Sequence, residues 1–174
     1  MNVELQKADH SQAVKIWEIL QKAIQRRKAE GSNQWQDGYP NLDIIKTDIE
    51  KEQGFVLIDG EDILGYCALI LNDEPAYAEI EGKWLSDDDF VVFHRVAIDD
   101  GHLGKGLAKK MISLIEEYTL ENNIYSVKAD TNFDNMAMLK IFKNLGYTYC
   151  GEVYFRGGAR KAFEKVLSKT SINI

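Results

Sequence analysis

The stretch Phe90–Ala108 reads FVVFHRVAIDDGHLGKGLA. Its first half, Phe90 to Ile98, is an apolar run holding the β-branched residues Val91, Val92, Val96 and Ile98, and it stops at Asp99-Asp100-Gly101. Gly104-Lys105-Gly106 follows. From there Leu107, Ala108, Met111, Ile112, Ile115 and Tyr118 recur at spacings of three and four. The pattern predicts a strand, a glycine-rich turn and an amphipathic helix in direct succession.

That succession has a chemical use. The first N–H groups of a helix have no partner inside it, and the helix dipole places partial positive charge there. Glycines let a bulky anion come close and let the chain take positive φ. A diphosphate fits such a cradle. The other reading is a plain tight connection between strand and helix. Two familiar phosphate loops do not fit: no Ser or Thr follows the Gly-Lys pair, and Lys109 stands where a dinucleotide fingerprint needs its third glycine.

The 174 residues predict one domain over 1–174, and 45% hydrophobic content is enough for a sizeable core. No apolar run approaches the roughly 20 residues of a membrane span. The start, MNVELQKADHS, lacks a basic segment followed by an apolar one, so a cytoplasmic protein is expected. Cys67 and Cys150 lie in strand-like runs without a CxxC partner and read as buried thiols, with no metal site expected. A net charge of −7 argues against nucleic acid as a partner and suits a cationic acceptor, although it equally serves solubility.

Taken in order, Val3–Lys7 alternates as a strand. Asp9 and Gln12 form a capping-box pair before a helix on Ala13, Trp17, Leu20 and Ile24, stopped by Gly31. Trp35, Tyr39 and Pro40 lie in a loop, as packing lids or as ligand walls. Asn41 caps a second helix carrying Leu42, Ile45 and Ile49. Gly54–Asp59 and Ile63–Leu71 read as a hairpin around Gly60-Glu61-Asp62. An acidic connection, Asn72–Asp89, contains Glu79 and Glu81, with Ala76–Ile80 expected to be extended. After the long helix, ending near Asn122-Asn123, come a strand at Tyr125–Ala129 and a short helix at Met136–Asn144 closed by Gly146. Two further strands follow, Tyr147–Phe155 and Lys161–Leu167. The expected fold is α/β: a central, mixed, mostly antiparallel sheet flanked by about four helices.

The segment Asn135-Met-Ala137-Met-Leu139-Lys-Ile141-Phe142-Lys-Asn-Leu145-Gly146-Tyr147 resembles the N-x-x-A-x-x-L-Y-x-x-x-G-F region of the GNAT superfamily of N-acetyltransferases. Leu103-Gly104-Lys105-Gly106-Leu107-Ala108 resembles that superfamily's acetyl-CoA loop, [Q/R]-x-x-G-x-[G/A]. The order of elements is similar over nearly the whole chain. The resemblance implies acetyl-CoA as co-substrate. Its pantetheine arm would pair with the backbone of Val96, Ala97 and Ile98, and its diphosphate would accept N–H bonds from Leu103, Gly104, Lys105, Gly106, Leu107 and Ala108. Asn135 and Phe142 would flank the arm. The implied reaction is attack of a neutral primary amine, from a small molecule or a peptide, on the thioester. A backbone N–H near Ile98 would face the developing oxyanion.

Two positions depart from the pattern. Leu103 replaces the usual Gln or Arg, and Phe142 replaces a Tyr that serves in relatives as general acid; Tyr154 or water would substitute. The family's Glu near the start of the organising strand is also missing. His94 is then the catalytic base expected, although a lone His in a buried strand commonly serves packing. By alternation His94 shares a face with Val92, Val96 and Ile98, and Arg95 points away with Phe93. Trp35, Tyr39, Glu79 and Tyr154 are expected on the acceptor side. The alternative function is a non-catalytic acyl-CoA-binding or regulatory module. Uncovered sheet edges would suit a homodimer.

Overall fold

A computed structural model describes residues 1–168. The elements are β1 (Val3–Lys7), α1 (Ala13–Ala29), α2 (Leu42–Glu50), β2 (Gly54–Asp59), β3 (Asp62–Leu71) and α3 (Pro75–Ala78). Then come β4 (Glu81–Gly82), β5 (Val91–Ile98), α4 (Leu107–Glu121), β6 (Ser126–Thr131), α5 (Met136–Leu145), β7 (Thr148–Phe155) and β8 (Gly158–Val166). The eight strands form one mixed sheet in the order β1-β2-β3-β5-β6-β8-β7-β4. β5 and β6 are parallel, registered at Val91↔Val127 and Val92↔Lys128. The β1–β2, β2–β3, β6–β8, β7–β8 and β4–β7 pairs are antiparallel.

The expected caps are present. Asp9 accepts from the Ser11 N–H at 2.9 Å while the Gln12 side chain accepts from the Asp9 N–H at 3.0 Å. Asn41 accepts from the Ile44 N–H at 2.9 Å, and Gly146 closes α5 at φ +83°. One expected element differs. Ala76–Ile80 is not extended, because Pro75 opens a one-turn helix at its first position, where a fixed φ and a missing N–H cost nothing. Five helices therefore flank the sheet where about four were expected.

Contacts gather into two compact units, Met1–Leu69 with Arg95–Leu114, and Ile70–His94 with Ile115 onward. In the first, Ile16, Ile19, Leu20 and Ala23 of α1 and Ile45 of α2 bury against Val56, Tyr66 and Ala97. Each fully buried aliphatic side chain of this kind contributes roughly 1.5–3 kcal/mol. Trp35 belongs to this core, with the Arg27 guanidinium 4.0 Å from its ring centroid, so it is a packing lid and not an acceptor wall. Gly65 of β3 lets β5 come close: a Cβ there would meet Ala97 O at 2.8 Å and Ile98 Cδ1 at 2.9 Å.

In the second unit Val92, Tyr77, Val153 and Ala162 form one core, with Trp84, Phe90 and Phe155 packed on it. A separate aromatic group joins Phe142 to Phe93, Tyr147 and Phe163, with the last ring stacked at 4.5 Å. Glu164 is fully buried. Its carboxylate accepts from the Leu85 N–H at 2.7 Å, Ser86 Oγ at 2.6 Å and Ser126 Oγ at 2.7 Å, tying the segment after β4 to β8.

Strict alternation fails in β5. Arg95 has φ +56°, a left-handed conformation inside a strand. Phe93 packs on Phe142, but Arg95 does not follow it: its guanidinium runs to Asp48 and Tyr39. The expectation that Arg95 follows Phe93 by simple alternation is overturned by this kink.

Candidate active site

The turn before α4 is open. Leu103, Gly104, Lys105 and Gly106 are exposed; Gly104 and Gly106 have φ +77° and +71°, and a Cβ on either would meet nothing within 4 Å. The Lys110 N–H bonds the Gly106 carbonyl at 3.0 Å, which begins the helical ladder. Among the described residues, no backbone carbonyl or side chain accepts a hydrogen bond from the N–H groups of Leu103 to Lys109. These donors stand without a protein acceptor at the positive end of a four-turn helix, beside Lys105, Lys109 and Lys110. A diphosphate fits this set. Just upstream, Arg26 Nη2 reaches the Ile98 carbonyl at 3.4 Å and pairs with Asp100, which pins the strand end.

His94 sits in a polar cluster of its own unit. Nε2 lies 2.7 Å from Glu74 Oε2, and Nδ1 lies 3.9 Å from Asp130 Oδ2. Asp130 accepts the Tyr77 hydroxyl at 2.6 Å and has Arg160 Nη1 at 3.9 Å. The Tyr77 and Phe155 rings meet the imidazole edge-on, with centroids at 6.4 and 6.1 Å. Burial first, then the Asp130 charge, pushes the Tyr77 phenol well above its ordinary value, so it stays a hydrogen-bond donor. A carboxylate oxygen of Glu74 accepts, so Nε2 is the donor in this pair and Nδ1 faces Asp130.

A second buried network involves Arg95. Its Nε and Nη2 bond Asp48 at 2.9 and 2.7 Å, its Nη1 bonds the Tyr39 hydroxyl at 2.6 Å, and Tyr66 gives its hydroxyl to Asp48 at 2.6 Å. Burial opposes the guanidinium charge, but Tyr39 and Asp48 more than offset it and hold it protonated. The Tyr66 phenol is raised, by burial first and then by Asp48. Tyr39, expected to face an acceptor, is thus bound to Arg95.

The other expected site residues have contacts of their own. Asn135 accepts from the Met138 N–H at 3.2 Å and caps α5. Phe142 is fully buried among rings, so it carries no exposed face to flank a cofactor arm. The Tyr154 hydroxyl donates to Glu81 at 2.5 Å on the surface; those carboxylate bonds raise its phenol, which makes it a weaker acid than an ordinary tyrosine. Glu79 is exposed at the end of α3. Glu74, Asp130, Arg160 and Asp48 escaped the sequence reading. The usable signal was His94-Arg95 inside an otherwise apolar run, since buried polar groups require partners.

Comparisons with known proteins bear on this geometry. Residues 15–147 match the family model described as the acetyltransferase (GNAT) family. A GNAT-family acetyltransferase crystal structure from Streptococcus agalactiae is 33% identical, with a TM-score of 0.89 and 96% of each chain covered. The structure of yncA from Salmonella typhimurium with its cofactor acetyl-CoA superposes with a TM-score of 0.68 at 17% identity, over 96% of this chain and 95% of that one. The L-methionine sulfoximine/L-methionine sulfone acetyltransferase of Salmonella typhimurium is 24% identical over 60% of this chain and 64% of its own length. Zebrafish N-acetylaspartate synthetase is 33% identical over 38% of this chain, which spans only 23% of that protein. Among the described residues no helix is long and apolar enough to cross a membrane.

Proposed function

The chain belongs to the GNAT acetyltransferase family, with acetyl-CoA as its co-substrate, and we propose that it acetylates the primary amine of a small acceptor. The observation that carries this reading is the row of N–H groups from Leu103 to Ala108, at the exposed turn and first residues of α4, that no described protein group accepts from. Those groups would hold the diphosphate, with the backbone of Val96, Ala97 and Ile98 beside the pantetheine arm. When bound, acetyl-CoA supplies an electrophilic thioester carbonyl.

The work of the chain itself is to bring an amine there without its proton. An alkyl ammonium near pKa 10 leaves only about one molecule in a thousand neutral at pH 7. Glu74 and Asp130 attract the cation, and the Tyr77 and Phe155 rings offer it apolar walls. His94 Nδ1 takes the proton, with Glu74 fixing the tautomer from the other side of the ring. The leaving thiolate, of pKa about 8.5, departs without a general acid. That agrees with Phe142 at the position of the family's Tyr and with the weakened acidity of Tyr154.

The test is thiol release from acetyl-CoA across a panel of amines, headed by free amino acids because two of the curated relatives carry amino-acid substrates or products in their names. Turnover with some member, lost in His94→Gln at unchanged acetyl-CoA affinity, is the expected result. Tight acetyl-CoA binding with no turnover across the panel would replace the enzyme by a binding module.

A further inference from the structure

Lys128 of β6 is 4% exposed, yet its ammonium makes no hydrogen bond or ion pair with any described residue. Its cross-strand neighbour Glu164 would be the natural counter-ion, but that carboxylate is taken by the Leu85 N–H, Ser86 and Ser126. What holds Lys128 instead are two rings, Phe90 with its centroid 4.0 Å from Nζ and Trp84 at 4.5 Å. An ammonium carries three donors, and here they open onto the cavity beside them, where water or a ligand meets them. Burial accordingly lowers the proton affinity of this lysine, against the opposing pull of Glu164, Cys150 and Asp87.

Lys128 also lines a cavity of about 390 Å³, a size in the range of small-molecule sites. Tyr77, Trp84 and Phe90 give it apolar walls, while Asp73, Glu74, Asp87 and Asp88 surround it with negative charge. A simple anion would satisfy Lys128 but meet four carboxylates. A simple cation would suit the carboxylates and leave Lys128 unmet. A ligand bearing both charges around an apolar body answers every wall. His94, Asp130 and Arg160 are not among the lining residues, but Glu74 and Tyr77 are, so the cavity adjoins the cluster proposed for catalysis and shares two of its side chains.

We propose that this cavity binds a zwitterionic amino acid with an apolar side chain, its carboxylate on Lys128 and its ammonium among the acidic residues. The site goes beyond acetyl transfer and stands without it. It also touches the proposed chemistry at two points, because Glu74 bonds His94 and Tyr77 bonds Asp130. An occupant drawing on the Glu74 carboxylate changes the partner of His94.

The test is calorimetry of the full chain without acetyl-CoA, using L-phenylalanine, phenethylamine, which lacks the carboxylate, and 3-phenylpropanoate, which lacks the amine. L-phenylalanine is expected to bind at least about tenfold tighter than either analogue, at 1.4 kcal/mol per decade. Lys128→Met abolishes that binding. Asp87→Asn with Asp88→Asn, both at exposed positions, weakens L-phenylalanine and strengthens 3-phenylpropanoate, which covers the case of a Lys128 variant that fails to fold. His94→Gln shifts L-phenylalanine affinity without abolishing it, because Glu74 is shared between the two. No binding by the native chain, equal binding of all three probes, or loss in His94→Gln with retention in Lys128→Met overturns the proposal.

Discussion

Gly106→Ala separates a phosphate cradle from a mere turn, because the two readings predict different losses. A Cβ at Gly106 meets no protein atom within 4 Å, so nothing inside the chain is displaced. The cost to the free protein is the left-handed φ of +71°, about 1–2 kcal/mol for an L-residue. If the row of N–H groups grips a diphosphate, the new methyl stands in the space the phosphate must enter. Losing one charge-assisted bond costs about 1.5–3 kcal/mol, or roughly 10- to 100-fold in Kd at 1.4 kcal/mol per decade. Titration calorimetry with acetyl-CoA measures this. S-acetylpantetheine, which lacks the diphosphate, is the control and is expected to bind the variant as it binds the native chain. An acetyl-CoA Kd within about twofold of native, in a variant that shows the expected stability loss, would refute the cradle. Equal losses for both ligands would do so as well.

Glu74→Gln keeps the shape of the side chain but no longer fixes the His94 tautomer by charge; kcat should fall by up to about 10²-fold with acetyl-CoA affinity unchanged, read by steady-state kinetics beside calorimetry. Gly151→Ala drives a Cβ to 2.2 Å from the Glu81 carbonyl and strains a φ of +140°, so urea unfolding should show a loss of about 1–3 kcal/mol; an unchanged midpoint would mean β4 is not held to β7. Asp99 is pushed up by burial but held lower overall by His102 and Lys15. Its folded value thus lies below the unfolded value of about 3.9. The stability it contributes is present above that value and is lost as pH falls through the folded one. Asp99→Asn should therefore flatten the acid limb of a stability–pH curve, and an identical limb in both proteins would discount the pairing.

Local chemistry made most of the backbone legible. Caps at Asp9, Asn41 and Gly146 and the turn at Gly60 are set by neighbours within a few residues, and the sequence carries such information directly. The short helix at Pro75 was misread because a single turn has no periodicity to detect. The partners of His94 are another matter. Glu74 is 20 residues away and Asp130 is 36 residues away, and only the order of strands in the sheet decides that they meet. The same holds for Asp48, which reaches Arg95 from 47 residues upstream. The glycine turn could be read because a strand, two glycines and a helical period follow one another directly in the chain; the cluster around His94 could not, because it depends on side chains gathered from several elements.

Arg95 has a practical consequence for anyone altering this protein. Its backbone conformation asks for Gly or Asn, which tolerate left-handed geometry at little cost. Its side chain asks for a long, forked cation that can hold Asp48 with one edge and Tyr39 with the other. No replacement among the twenty meets both demands. In a saturation library, the residues easiest on the main chain would orphan a buried carboxylate, and lysine would keep the charge while surrendering the fork. That codon should tolerate change less than the aliphatic positions around it, where one hydrocarbon can stand in for another.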